Sequence, residues 1–77
     1  MMTYGKAREI IRDVCTPHTI YEIKKANKEL KRLFGDNLLE IRKADDEFGN
    51  PIVFYEVFCE DNPYTIAFDF WNGIIAD

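Results

Sequence analysis

The hydrophobic positions of this chain change their spacing near residue 36, from a helical period to alternation in twos. Before that point, apolar residues recur every three or four positions, the spacing that aligns side chains on one face of a helix. The first such segment predicts a helix from about residue 3 to 15, with Thr3 as its N-cap. The Thr16-Pro17 pair is expected to end this helix, because proline disfavours the α conformation in the residue before it.

A second helix is predicted over about residues 19–34. Thr19 and Glu22 have the spacing of a capping box, and Thr16 is the alternative cap. Gly35 is expected to end the helix, since glycine readily takes the left-handed conformation that commonly follows one. One side of this helix is apolar, and the opposite side carries what we call the basic stripe: Tyr21, Lys24, Lys25, Lys28, Lys31 and Arg32.

The alternation after residue 36 predicts three strands, at about 38–43, 52–60 and 64–70. The middle one, IVFYEVFCE, is rich in β-branched and aromatic residues and is expected to be the central strand. Asn72-Gly73 is a strong hairpin signal, so a stub at 74–76 is expected to fold back as a short fourth strand. The predicted fold is a single α+β domain over 1–77, with two N-terminal helices packed on an antiparallel meander in the order ααβββ.

The register of the second and third strands decides which side of the central strand is buried. An even-length turn at Asp61-Asn62 that sets Cys59 opposite Tyr64 would pair Tyr55 with Phe68. The side packed on the helices is then Val53, Tyr55, Val57 and Cys59, with Leu39 and Ile41 of the first strand. The other side, which we call the outer face, carries Ile52, Phe54, Glu56, Phe58 and Glu60, joined by Leu38, Glu40, Arg42, Thr65, Ala67 and Asp69. Either Trp71 and the C-terminal stub or a second copy of the chain could cover this outer face.

Charge is distributed unevenly along the sequence. The net charge is −4, yet residues 1–35 hold eight Lys/Arg against four Asp/Glu, and residues 36–77 hold two against ten. Such an asymmetry bears on binding partners rather than on fold. No apolar run approaches the roughly 18 residues of a membrane span, and the N-terminus has no signal-peptide pattern, so a cytoplasmic location without membrane contact is expected.

Little in the sequence points to catalysis. Cys15 and Cys59 are predicted to be buried, reduced thiols. Neither a metal site nor a cofactor is expected, because His18 is the only histidine and the acidic run 45–47 lacks the spacing of a calcium loop. Cys15 and His18 flank a proline without a third group to orient them, so they do not form a nucleophile and base. The chain is therefore expected not to be an enzyme.

Two binding functions are compatible with these patterns. The first is a small protein-binding module or inhibitor that docks the acidic, aromatic outer face on a protein with a basic surface, in its sharper form a nucleic-acid-handling protein. The residues expected to contact that partner are Phe54, Glu56, Phe58, Glu60, Glu40 and Asp69. The alternative is nucleic-acid binding through the basic stripe, with Tyr21 stacking on a base. A homodimer that buries the outer face is compatible with either function.

Overall fold

The computed structural model of this chain describes residues 1–15, 23–45, 47–60 and 62–76. Within these ranges, two helices precede a four-stranded antiparallel sheet. The elements are α1 (Tyr4–Cys15), α2 (Ile23–Phe34), β1 (Leu38–Asp45), β2 (Pro51–Cys59), β3 (Asn62–Asp69) and β4 (Ile74–Ile75). The α+β class and the ααβββ order are confirmed, and the C-terminal stub is the fourth strand.

Helix α1 begins where its cap residue predicts. The Lys6 backbone N–H donates to Thr3 Oγ1 at 3.2 Å, which satisfies an amide that the first turn would otherwise leave unpaired. The buried residues of this helix are Ala7, Ile11 and Cys15. Their spacing of four puts them on one face, so the helix presents a single apolar side to the sheet.

Helix α2 ends at Phe34, as the sequence predicts. Gly35 follows with a φ of +56°, a conformation that glycine adopts without steric cost. One 3₁₀ turn, Gly35–Asn37, then leads into β1. The buried residues of α2 are Ala26, Leu30 and Phe34. The expected capping box, Thr19 with Glu22, lies outside the described residues.

The predicted register of β2 against β3 is wrong by two residues. Tyr55 pairs with Ile66 rather than with Phe68. The turn is tighter than expected, because Glu60 takes a φ of +40° and β3 already begins at Asn62. A shift by an even number of residues leaves each side chain on its predicted face, so the two sides of β2 are as expected.

The core lies between the helices and the inner side of the sheet. On β2 the predicted residues are all buried: Val53, Tyr55, Val57 and Cys59. They join Ile66 and Phe68 of β3 and the buried residues of both helices in one cluster. Phe70, just beyond β3, closes the cluster with its ring edge-on to Phe68 at 4.9 Å between centroids. One layer of side chains therefore holds the two helices on the sheet.

The first residues of strand β1 do not alternate between the two faces as predicted. Leu38 pairs with Val57 and Glu40 with Glu56, so Leu39 is the extra residue of a β-bulge. As a result Leu38 packs against the core and Leu39 is 51% exposed, the reverse of the expected arrangement. Beyond the bulge the alternation resumes in the predicted sense.

The C-terminus folds back through a longer turn than Asn72-Gly73 alone. Asp69 pairs with Ile74, and the Gly73 backbone N–H donates to the Asp69 carbonyl at 2.8 Å. Strand β4 therefore lies beside β3 and not across the outer face. Trp71 is 63% exposed. The alternative in which Trp71 and the stub cover the outer face does not hold.

Candidate functional site

The outer face of the sheet, on the side away from both helices, carries two phenylalanines of β2. Phe54 is half-buried, and the guanidinium carbon of Arg42 lies 5.2 Å from the centre of its ring, within range of a cation–π attraction. Phe58 is 43% exposed at the other end of the strand. Since a strand rises about 3.3 Å per residue, the two rings are roughly 13 Å apart along β2.

Two carboxylates lie between these rings. Glu40 and Glu56 are directly opposite each other on β1 and β2. Opposite residues have Cβ atoms about 4.5–5.5 Å apart, a distance at which like charges destabilise a sheet. Arg42 Nε lies 4.0 Å from Glu40 Oε2, and an exposed ion pair of that length offsets little of this repulsion. A cation supplied by a binding partner would relieve it.

Asp69, expected among the partner contacts, instead holds the turn between β3 and β4. Asp69 is buried, with only 8% of its surface exposed. Oδ1 accepts from the backbone N–H groups of Trp71 at 2.9 Å and Asn72 at 3.0 Å, and Oδ2 accepts from Asn72 Nδ2 at 2.7 Å. The tendency of aspartate to bond the backbone two residues on is a known turn signal, and it could have identified this role from the sequence.

The structure brings four of the remaining predicted contacts together on one surface, whereas Glu60 lies in the turn after β2. We call this surface the outer patch and define it as Glu40, Arg42, Phe54, Glu56 and Phe58. Ile74, which was not among the predicted contacts, pairs with Asp69 and lies on the same face as Ile52, with Asp69 between them. Ile74 is 56% exposed and extends the apolar area of the outer face toward β4.

The basic stripe lies on the side of α2 opposite its buried residues. Lys24, Lys25, Lys28 and Lys31 are exposed, and within the described ranges none of them has an ion pair. Arg32 is paired with Glu29, to which its Nε donates at 3.0 Å, and this contact lowers the pKa of the Glu29 carboxyl. Tyr21 lies outside the described residues. Four free lysines thus remain of the predicted six-residue stripe.

Most of the basic stripe lies away from the outer patch. Helix α2 packs its apolar side on the inner side of the sheet, so Lys25 and Lys28 are directed away from the outer patch. Lys31, by contrast, lines the same groove as Glu40 at the edge of the sheet. The shortest extent of the fold is 17 Å, which exceeds the Debye length of about 8–10 Å at ordinary salt, so the more distant carboxylates of the outer patch are screened from a polyanion bound at Lys25 and Lys28.

The buried thiols are placed for packing rather than for reaction. Neither Cys15 nor Cys59 is in a disulfide, and both are buried, as predicted. Burial raises the pKa of Cys15 to about 11 and also raises the pKa of Cys59. Because the thiolate is the reactive form, neither thiol is a nucleophile at neutral pH. His18, the base considered for Cys15, lies outside the described residues.

A short polar chain crosses the core and links both helices to the central strand. Cys15 Sγ lies 4.0 Å from the Tyr55 hydroxyl, which donates to Asn27 Oδ1 at 2.6 Å. Burial raises the pKa of the Tyr55 hydroxyl, and the neighbouring Cys15 adds to that rise. Cys15 and Tyr55 therefore keep their protons at neutral pH, and the contacts of Tyr55 with Cys15 and Asn27 fix the positions of α1 and α2 over β2.

Comparison with known proteins adds no assignment. No protein-family model matches the chain, and no significant match is found among curated proteins or solved structures. Among the described residues, no group of three or more His, Cys, Asp or Glu side chains is placed to hold a metal ion. In the same residues, no helix is long and apolar enough to cross a membrane. A function must therefore be argued from the two surfaces described above.

Proposed function

We propose that this protein is a small, non-enzymatic module that binds a basic protein surface through the outer patch. The observation that carries the proposal is a sheet face, left uncovered by the other elements of the described ranges, on which two phenylalanines flank a pair of carboxylates. Apolar surface with a polar rim commonly marks an interaction site. The division of labour is also ordinary, because charges steer the encounter and aromatic residues hold the complex.

Phe58 is the anchor with the most surface left to bury. A phenylalanine offers about 200 Å², so covering the exposed 43% of Phe58 would contribute roughly 2 kcal/mol. Phe54 has less to gain, since Arg42 already packs on its ring. The carboxylates of Glu40 and Glu56 would in turn accept from lysines or arginines of the partner.

The partner in the sharper form of this proposal is a nucleic-acid-handling protein. Closely spaced negative charges on neighbouring strands imitate the phosphates that such a protein binds. The module would then act as an inhibitor that competes for the phosphate-binding surface. Pre-incubation of the partner with nucleic acid should in that case release the module.

The docking prediction is tested by affinity capture from host lysate with matched variants. Phe58→Ala and Glu56→Lys should each reduce the captured partner by about tenfold or more, since truncation of an anchor or reversal of a central charge removes 1–2 kcal/mol or more. Glu56→Lys also places a lysine opposite Glu40, so the sheet itself should not lose stability. Lys25→Glu, on the far side of the molecule, is the matched control and should capture normally.

A photo-crosslinking amino acid makes the same test independent of affinity. Placed at position 58 it should crosslink to the captured partner, and placed at position 25 it should not. Capture that survives both Phe58→Ala and Glu56→Lys, with crosslinks from position 25 alone, would reject the outer patch as the binding surface.

A second candidate is nucleic-acid binding through the basic stripe, favoured by four unpaired lysines on one side of α2. At 1.5 Å per residue, Lys24 and Lys31 are about 10 Å apart along the helix, so they would follow a nucleic-acid backbone. The wild type should then shift DNA or RNA at low salt, and the logarithm of its affinity for duplex DNA should fall with that of salt with a slope near −4. Charge reversal at Lys24, Lys25 and Lys28 together should abolish the shift, whereas Glu56→Lys should not. A wild type that shifts neither nucleic acid at low salt would remove this candidate.

A further inference from the structure

Strand β1 is an edge strand of the sheet. It pairs with β2 on one edge, and among the described residues no strand pairs with its other, free edge. Beyond the bulge at Leu39, this edge presents the backbone N–H and C=O groups of a regular strand, which can pair with another strand. An open groove of about 440 Å³ runs between this edge and α2. Its lining combines apolar β1 side chains with polar α2 side chains: Asn27, Lys31, Gly35, Leu38, Leu39, Glu40 and Ile41.

We infer that the partner of this edge is the same strand of a second copy, paired antiparallel about a twofold axis at Ile41. In that register Glu40 faces Arg42 of the partner subunit, and Arg42 faces Glu40 of the partner subunit. Both contacts join opposite charges on the outer side of the sheet. On the inner side Ile41 meets its own symmetry mate, and the next pair along joins Leu39 to Lys43 of the partner subunit. The central positions of the edge, Glu40–Arg42, are therefore self-complementary.

Two features of the single chain fit this pairing. The exposed Leu39 side chain borders the groove, and an added strand would cover it. Glu40 also lies opposite Glu56, and an arginine arriving on the free side of β1 would offset the repulsion between these carboxylates. Within one chain, Arg42 Nε is 4.0 Å from Glu40 Oε2, so Arg42 offsets this repulsion only weakly.

The inferred dimer has a definite shape. A twofold axis perpendicular to the sheet joins the two four-stranded sheets into one of eight strands and keeps both pairs of helices on the same side. The two outer faces then lie side by side and in the same orientation. The dimer is independent of the proposed docking function, but it would present two outer patches to one partner assembly.

Sedimentation of the purified protein over a range of concentrations tests the pairing. The wild type should change from monomer to dimer as its concentration rises. Glu40→Arg and Arg42→Glu should each weaken the dimer by about tenfold or more, because each sets two like-charged pairs opposite one another. A mixture of the two variants should regain the dimer as a heterodimer, since every facing pair is again of opposite charge. Glu9→Arg on α1 is the charge-matched control and should dimerise as the wild type does.

Amide hydrogen exchange of the wild type is the second measurement and requires no substitution. Amides of β1 should exchange more slowly as the concentration rises, whereas those of β4 should not change. A wild type that stays monomeric throughout would overturn the inference, and so would single variants that dimerise normally or a mixture that fails to recover. A dimer broken by Phe58→Ala but not by either β1 variant would place the interface on the outer face and also overturn it. None of these outcomes bears on capture of a partner protein.

Discussion

Replacing Phe68 with alanine is expected to lower the free energy of unfolding by about 3–5 kcal/mol. The ring is fully buried at the centre of the core and meets the edge of Phe70, so its removal leaves a cavity that neighbouring side chains cannot fill. A chain of 77 residues has a total stability of only about 4–12 kcal/mol. Urea or thermal unfolding followed by circular dichroism should therefore find this variant close to unfolded at room temperature.

Phe58→Ala is the matched control for this substitution. It removes the same side chain from the same sheet, but from the exposed face. Its expected cost is about 1–2 kcal/mol, because part of the residue is already covered, and this is well below the cost of Phe68→Ala. If both variants lost the same stability, the assignment of Phe68 to the core and Phe58 to the outer patch would be wrong. The control also establishes that loss of partner capture by Phe58→Ala is not caused by unfolding.

The faces of the central strand could be predicted from the sequence because side chains alternate strictly along a strand. Val53 and Tyr55 are buried and Phe58 is exposed, although the register that was used to argue this is off by two residues. The register itself depends on Glu60, which takes a left-handed conformation that non-glycine residues adopt only occasionally. No local residue pattern at Glu60-Asp61 announces so tight a turn.

The candidate site was harder to predict where the backbone departs from regular alternation. The bulge at Leu39 adds one residue to β1, and a one-residue insertion exchanges the faces of Leu38 and Leu39. Nothing in an alternating pattern marks such an insertion, because both residues are leucines. Asp69 differs from the other expected contacts for another reason: its position on the outer side is as expected, but its carboxylate accepts hydrogen bonds from the turn that follows.

The charge separation between the two sides of the molecule has a simple origin in the chain order. Both helices come from the basic first half, and all four strands come from the acidic second half. Because the helices precede the strands, the charge difference between the two halves of the sequence becomes a charge difference between the helix layer and the sheet. This relation explains why the outer patch and the basic stripe, which both belong to one small fold, are suited to partners of opposite charge.

Raising the pH from about 8 to about 11 is expected to lower the free energy of unfolding by roughly 3–4 kcal/mol, chiefly through Cys15 and Tyr55. Burial raises the pKa of Cys15 from its ordinary value of 9.0 to about 11, and the pKa of the Tyr55 hydroxyl is raised as well. In the unfolded chain these groups release their protons from about pH 9 and pH 10 upward, while the folded chain still holds them. The unfolded state therefore binds fewer protons in this window, and stability falls as the pH rises.

Two variants separate the contributions of this polar chain. Below about pH 9 both groups are protonated in both states, so stability should not depend on their titration there. Cys15→Ala should remove the decline that begins near pH 9, and Tyr55→Phe should remove the part that begins near pH 10. Tyr55→Phe should also cost about 1 kcal/mol at neutral pH, because the Tyr55 hydroxyl donates to Asn27 Oδ1.

Urea unfolding at several pH values measures how the free energy of unfolding of each variant depends on pH. A Cys15→Ala variant with the same pH dependence as the wild type would mean that this thiol is not buried beside Tyr55. Cys15, Tyr55 and Asn27 join α1, β2 and α2. Deprotonation of Cys15 and Tyr55 should therefore loosen both helices, and the far-ultraviolet helix signal should fall together with stability.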